Sequence, residues 1–334
     1  MKVLLTGATG FLGRTVARRL AARGHSLRVL ARPTSHLGGL PEAAEVTAGD
    51  VTDADSVKRA AQGCEAVLHM AALVRIWVPE PERFFAVNVG GLRHALEAAR
   101  GAGARLVYTS SFIALGPSGE GFLDASRPHP GPPFRNEYER TKALADGWAR
   151  EAAAGGDDVV ILYPGVVYGP GDMTEGNIVA GMIADHLNGR LPGLVGPADR
   201  RWSYAFVEDV AEGHALALEK GRAGDRFVLG GENATLAELF ALVQGISGAR
   251  PPSLRIPYGV ASVLGRLQWL WAELTGHPPQ LTHGEVGVFR EEWACDSSKA
   301  ERELGYRYRP LAEGLRRTID WLRETERAPA RGAA

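Results

Sequence analysis

The 334-residue chain is poor in sulfur, with two cysteines, Cys64 and Cys295, and four methionines. The cysteines stand far apart with no C-x-x-C pair, which argues against a disulfide framework and a cysteine zinc site. They read as ordinary core thiols of a reducing compartment, the cytoplasm. An excess of charge of either sign is also missing: 38 Lys+Arg face 39 Asp+Glu, for a formal net charge of −1. Nothing in that balance attracts a nucleic acid or a membrane surface. Long hydrophobic runs are absent. The most apolar late stretch, Ile256–Leu274, contains Arg266 and Glu273 and is no transmembrane span. Its Leu264, Leu267, Trp271 and Leu274 recur at helical spacing and predict a packed helix, with Trp269 off that stripe and open to a partner or ligand. At the start only Val3–Leu5 are apolar before Thr6 and Gly7, too few for a signal peptide. His69 comes closest to looking like a metal ligand, but no partner stands at ligand spacing, so no metal is expected.

What is present begins at once. Residues 5–13 read Leu-Thr-Gly-Ala-Thr-Gly-Phe-Leu-Gly after an apolar opening. A short strand feeding a glycine turn and then a helix is a device for holding a dinucleotide pyrophosphate. Gly7 permits the tight turn, Gly10 lets backbone approach phosphate, and Gly13 lets the helix pack on the strand. Thr9, Phe11 and Leu12 complete that turn.

Short β-type runs then alternate with helical segments. The strands are read at Lys2–Thr6, Ser26–Ala31, Glu45–Ala48, Ala66–His69, Arg105–Ser110 and Val159–Tyr163. Helices are read at Leu12–Arg23, Ala54–Gln62, Glu82–Gly101 and Asn136–Ala153. Several strands are continuously apolar, as expected when helices cover both sheet faces. The pattern predicts an α/β fold, a Rossmann-type doubly wound parallel sheet. From Gly169 the alternation loosens, with helices at Ile178–Asn188 and Leu236–Ser247. Val210–Lys220 and Phe227–Leu229 look like a further helix–strand unit. The division expected is a dinucleotide domain over 1–168, rejoined by 203–234, and a smaller interleaved substrate region over 169–202 and 235–325. The residues 326–334 form a tail expected to fray.

Tyr138 and Lys142 form Tyr-x-x-x-Lys, and spacing i, i+4 stacks both on one helix face. A free tyrosine, with a pKa near ~10, is a poor acid–base group at neutral pH. An adjacent ammonium stabilises the phenolate and lowers that pKa. Ser110 and Ser111 end the fifth strand, so they sit at the carboxyl edge of the sheet. A serine hydroxyl there can hold a substrate oxygen while the tyrosine moves a proton.

With Gly7–Gly13, Ser111, Tyr138 and Lys142 in this order, the chain resembles the extended short-chain dehydrogenase/reductase family over nearly its whole length. His69-Met-Ala71-Ala72 resembles that family's H-x-A-A, and Asn88-Val-Gly-Gly its N-V-x-G-T without the threonine. Gly49-Asp50-Val51 resembles a G-D-[LV] whose acid approaches the adenine. Pro164-Gly-Val-Val167-Tyr-Gly-Pro-Gly resembles the segment that borders the nicotinamide. Val207-Glu-Asp209-Val-Ala, and Asp296-Ser-Ser-Lys-Ala with Leu304-Gly-Tyr and Trp321, match its later motifs. The resemblance implies that Tyr138 is the general acid–base, that Lys142 lowers its pKa and binds the nicotinamide ribose, and that Ser111 orients the reacting oxygen. Asn88 supports the active-site backbone or a water relay. The resemblance also implies homodimers through helices near Glu82–Gly101 and Asn136–Ala153.

The second strand ends in Ala31-Arg32, with no Asp or Glu from Gly24 to Pro41. NAD enzymes place a carboxylate there for the ribose 2′-hydroxyl. A guanidinium instead matches a 2′-phosphate, so NADP is expected over NAD. Sugar epimerases of the family carry an arginine seven residues before the aspartate of V-x-D, and Trp202 stands there in this chain. Arg200 and Arg201 lie one slip away from restoring it. Arg75-Ile-Trp77-Val-Pro looks like dihydroflavonol-reductase-like and hopanoid-associated epimerase-like members. Trp77, Phe112, Phe134 and Trp202 are candidates to line an apolar substrate cleft. The expectation is an NADP-dependent carbonyl reductase acting on a small, largely apolar molecule. The alternatives are a nucleotide-sugar epimerase or dehydratase that retains its cofactor, and a non-catalytic dinucleotide sensor.

Overall fold

The structure is a computed structural model that describes residues 1–325. The tail expected to fray lies outside the described residues.

The first half alternates as its sequence pattern predicts. It runs β1 (Lys2–Thr6), α1 (Phe11–Ala22), β2 (Ser26–Ala31), β3 (Glu45–Ala48), α2 (Ala54–Ala61) and β4 (Ala66–His69). Then come α3 (Glu82–Phe85), a π turn over Ala86–Gly90, and α4 (Gly91–Ala102). β5 (Arg105–Thr109), a 3-10 turn over Phe112–Leu115, α5 (Glu137–Ala154) and β6 (Val159–Pro164) follow. The single helix expected over Glu82–Gly101 is thus interrupted, because the π turn inserts one residue into the ladder. The strand expected to reach Ser110 ends at Thr109, and Ser111 caps the 3-10 turn instead, its hydroxyl accepting from Ile113 N at 3.4 Å.

The second half comprises β7 (Val166–Tyr168), α6 (Ile178–Leu187), β8 (Leu194–Val195), β9 (Arg201–Phe206), α7 (Val207–Lys220), β10 (Arg226–Leu229) and β11 (Glu232–Thr235). It closes with α8 (Leu236–Ser247), β12 (Arg255–Ile256), α9 (Tyr258–Thr275), α10 (His283–Phe289), α11 (Ser298–Glu303) and α12 (Leu311–Glu324). Helix α7 starts at Val207, three residues before the expected Val210.

The main sheet has seven strands in the order β10-β6-β5-β4-β1-β2-β3, all parallel. The order reverses beside β1, which puts the crevice for a ligand between β1 and β4 at their carboxyl ends. Alternate residues feed opposite layers. Leu4, Val67, Leu106 and Ile161 join one apolar cluster, and Val3, Leu5, Leu68 and Val107 the other. β7, β9 and β11 form a second, three-stranded sheet. Cys64 and Cys295 are buried free thiols.

One expectation fails. The Leu264, Leu267, Trp271 and Leu274 stripe of α9 does not pack; these residues are 46–83 % exposed. The helix instead buries Ala261, Gly265 and Ala272. A Cβ on Gly265 would lie 2.7 Å from the carbonyl carbon of Thr282, so small residues win the inner face by allowing close approach. Trp269, expected to be open to a partner or ligand, lies half-buried and edge-on to His283 at 6.1 Å. No helix among the described residues is long and apolar enough to cross a membrane.

Candidate active site

The turn after β1 is built around three glycines. Gly7 adopts φ +77°, and a Cβ there would lie 2.6 Å from Ala71 N. The backbone after β4, with Ala71 and Ala72, is thereby pressed against the turn. A Cβ on Gly13 would sit 2.1 Å from Gly7 O, so α1 can reach the turn only with glycine there. Gly10 caps α1 with no side-chain hydrogen bond, and the first turn holds no acid. An uncapped helix end free of carboxylates, approached by bare backbone, fits an anionic pyrophosphate.

Phe11 is buried and Leu12 half-buried beside this turn. Phe11 packs under Gly171, where a Cβ would come within 2.8 Å of its ring. Arg14 Nε donates to Asp172 Oδ2 at 2.8 Å, and its terminal nitrogen donates to His36 O at 2.9 Å. Arg32 is exposed and makes no ion pair among the described residues. Asp50 spends one oxygen on Thr52 N and Thr52 Oγ1, at 2.9 and 2.8 Å. Val51 packs against Gly91 and accepts from His94 at its carbonyl, at 2.8 Å. Pro164 ends β6 beside Leu229, and Val167 lies in β7 beside Ala205.

The carboxyl edge of β5 carries the reactive cluster. Asn136 opens α5 by accepting from Glu139 N at 2.8 Å, which sets Tyr138 and Lys142 in the first turns. Burial pushes the Tyr138 pKa up to about 12, against the lowering expected of Lys142, while the nearby Ser111 hydroxyl favours the ionised form. Lys142 is 2 % exposed. Its Nζ donates to Thr109 O at 2.9 Å and lies 5.0 Å above the Tyr108 ring. Burial pulls its pKa down to about 7, and the Asp146 carboxylate opposes that fall. Asp146, one turn further on, accepts from Ser110 Oγ at 3.3 Å and from Arg150 Nε at 2.6 Å. The sequence reading missed Asp146, although its spacing of i+4 from Lys142 was visible.

Asn88 lies in the π turn and is buried. Its Oδ1 accepts from Leu73 N at 2.7 Å, and its Nδ2 donates to Leu73 O at 3.3 Å and to Thr141 Oγ1 at 3.0 Å. All its polar atoms are thus engaged by protein, clamping the loop after β4 to the helix of Tyr138. His69 lies beneath, its Nδ1 2.8 Å from Thr6 Oγ1, with Nε2 unpartnered among the described residues. Desolvation lowers its pKa to about 3, so the imidazole is neutral. Among the described residues no cluster of three or more His, Cys, Asp or Glu could hold a metal ion.

Phe112, next to Ser111, meets Trp293 edge-on at 5.5 Å. Trp293 bridges to Trp202, which stacks on Phe289 at 5.3 Å. An aromatic wall, with Trp293 fully buried within it and Trp202 9 % exposed, therefore adjoins Ser111. Trp293 and Phe289 were not singled out from sequence, since lone aromatics give no local signal. Trp77 and Phe134 have other partners. Trp77 is buried and donates to Glu273 at 2.7 Å, and Phe134 packs on His129 at 5.0 Å. Arg200 and Arg201 both turn to Glu292, at 3.7 and 3.4 Å.

A parallel sheet with an uncapped glycine turn at its switch point, and a Ser–Tyr–Lys cluster beside it, defines a dinucleotide-binding protein of the Rossmann class. A family model described as the NAD dependent epimerase/dehydratase family matches residues 3–230, and the chain belongs to that family. It is 32 % identical to sterol demethylase protein B of Methylococcus capsulatus, covering 97 % of this chain and 99 % of that one. It is 30 % identical to ceramide reductase of Caulobacter vibrioides, covering 96 % and 94 %. Among solved structures, UDP-glucose 4-epimerase of Thermus thermophilus, in complex with NAD, superposes with a TM-score of 0.75, 27 % identity and full coverage of both chains.

Proposed function

We propose that the protein is an NADP-dependent oxidoreductase that reduces the carbonyl group of a small, largely apolar substrate. The observation that carries this reading is the aromatic wall contiguous with Ser111, in which Trp202 occupies the place of a pyrophosphate-binding arginine. Arg200 and Arg201 do not fill that role, because both are directed to Glu292. The exposed Arg32, with no acid at the end of β2, favours the 2′-phosphate. The reductase name of the ceramide relative points the same way.

Gly7–Gly13, Arg32, Asp50, Val51, Ala71, Ala72, Pro164 and Val167 would hold the dinucleotide, which when bound supplies hydride to the carbonyl carbon. Ser111 holds the carbonyl oxygen, and Tyr138 gives it the phenolic proton. Lys142, whose charged form Asp146 favours against the pull of burial, would stabilise the phenolate left behind. Asn88 positions the backbone around them. Phe112 and Trp202 exclude water from the reacting centre. The protein acts in the cytoplasm as a homodimer through α4 and α5, where Trp148 lies exposed under the Arg93 guanidinium.

Tyr138→Phe is expected to cut NADPH-linked turnover of a ketone panel by roughly 10²–10⁴-fold with cofactor affinity unchanged. Near-wild-type turnover in that variant would sink the mechanism. The second reading, a nucleotide-sugar epimerase or dehydratase, is favoured by the NAD-bound epimerase neighbour. Mass spectrometry of the purified protein separates the two. Tightly retained NAD supports the epimerase, and an empty protein that prefers NADPH supports the reductase. A sensor would bind dinucleotide and turn over nothing.

A further inference from the structure

Helix α9 is amphipathic in the wrong sense for a helix that merely packs. Its inner face is Ala261, Gly265 and Ala272, while Val263, Leu264, Leu267, Leu270, Trp271 and Leu274 face outward. Leu274 is 83 % exposed and Trp271 63 %. The outward residues recur every three or four positions and form one continuous ridge, extended by Val260. At 1.5 Å per residue the ridge on the helix is about 20 Å long. Isolated exposed leucines are ordinary, but a ridge of this size marks a contact surface.

The charge along the segment that carries the ridge leans positive. Arg250, Arg255, Arg266 and Arg290 are exposed, and none has a carboxylate partner among the described residues. Between Arg250 and Arg290 the only acids are Glu273 and Glu285. Glu273 accepts from Trp77, and Glu285 closes the capping box with Thr282. The overall balance of −1 therefore hides an arginine-rich segment that carries the apolar ridge, with Arg290 seated on the start of α9 and Glu273 and Asp199 as its exposed acids.

We infer that α9 is a docking surface for an anionic phospholipid bilayer, lying in the interface plane without crossing it. Leucine, valine and tryptophan on one face with arginines in the same segment are the composition such interfacial helices need. A second copy of this chain fits less well. A two-fold contact would place the arginine-rich segment of one copy against that of the other.

The helix also lies where docking would serve the site. Glu273 of α9 holds Trp77 in the loop after β4, and Asn88 holds Leu73 of that same loop to Thr141, next to Lys142. On its inner side α9 packs on α10, whose Gly284 is pressed against Arg135 O at the start of the Tyr138 helix. A bilayer at this face brings an apolar, membrane-dissolved carbonyl compound to the mouth of the aromatic wall. That use rests on the reductase reading; the docking itself does not.

The test is flotation of the full chain with vesicles of phosphatidylcholine mixed with phosphatidylglycerol, against phosphatidylcholine alone. Light scattering in solution is recorded alongside. Wild type is expected to float with the anionic vesicles and to release in high salt. Leu267→Glu with Leu274→Glu should weaken partitioning by roughly tenfold per leucine, with NADPH binding and oligomeric state unchanged. Wild type that floats with neither vesicle overturns the inference. So does a double variant whose oligomeric state falls, because the ridge is then a contact between copies. Vesicle binding without NADPH-linked turnover would leave the docking standing and remove the reductase.

Discussion

Lys142 should cost the fold stability for as long as it is charged, and the size of that cost follows from its burial. The ammonium is 2 % exposed and its pKa falls from 10.5 to about 7. At 1.36 kcal/mol per unit, the charged form carries a penalty of roughly 5 kcal/mol. Between those two values the unfolded chain holds a proton that the folded chain has released. Stability at this group therefore climbs as pH rises from about 7 to 10.5, and the penalty is present in full below about 7. Lys142→Met keeps the length of the side chain and removes the charge. It also leaves Thr109 O without its 2.9 Å donor, a loss of roughly 1–2 kcal/mol. The variant should be more stable than wild type by roughly 3 kcal/mol near pH ~6. That advantage should vanish toward pH ~10. Urea unfolding of the dinucleotide-free protein, followed by tryptophan fluorescence at both pH values, gives the comparison. An offset of equal size at both, or a variant less stable near pH ~6, would refute the reasoning.

Arg32→Ala should weaken NADPH by roughly 10–100-fold, the worth of a charge-assisted contact, and leave NADH within about twofold; equal losses for both would undo the cofactor assignment. Gly13→Ala places a Cβ 2.1 Å from Gly7 O and should lower the melting temperature and weaken dinucleotide binding together. Gly245→Ala, in α8 with open space at the new methyl, should instead raise stability by roughly 0.5–1 kcal/mol. Thermal melts with and without NADPH distinguish these outcomes.

The sheet was legible because a parallel strand buried on both faces writes an unbroken apolar word, such as Val159–Tyr163, and punctuates it with glycine, here Gly165. The Ser111, Tyr138 and Lys142 cluster was legible because one strand end and one helix face fix all three. What escaped was decided by contacts distant in the chain. Trp293 and Phe289 join Phe112 and Trp202 only after the second half of the chain folds back. The engagement of Arg200 and Arg201 by Glu292 is equally remote in sequence. The orientation of α9 was misread because counting hydrophobicity favours large residues. Close approach to Thr282 and His283 selects small ones.

The π turn at Ala86–Gly90 has a meaning for how this site tolerates change in chain length. Successive residues of an α-helix are rotated by about 100°, so one residue too many is a change of phase, not merely of length. Asn88 meets both Leu73 and Thr141 because the extra residue is stored in that wide turn. Deleting a single residue there would let the helix run straight and swing its register away from the loop after β4. The bulge acts as a phase setting between two halves of the site, and a one-residue frame is the unit in which it can be lost.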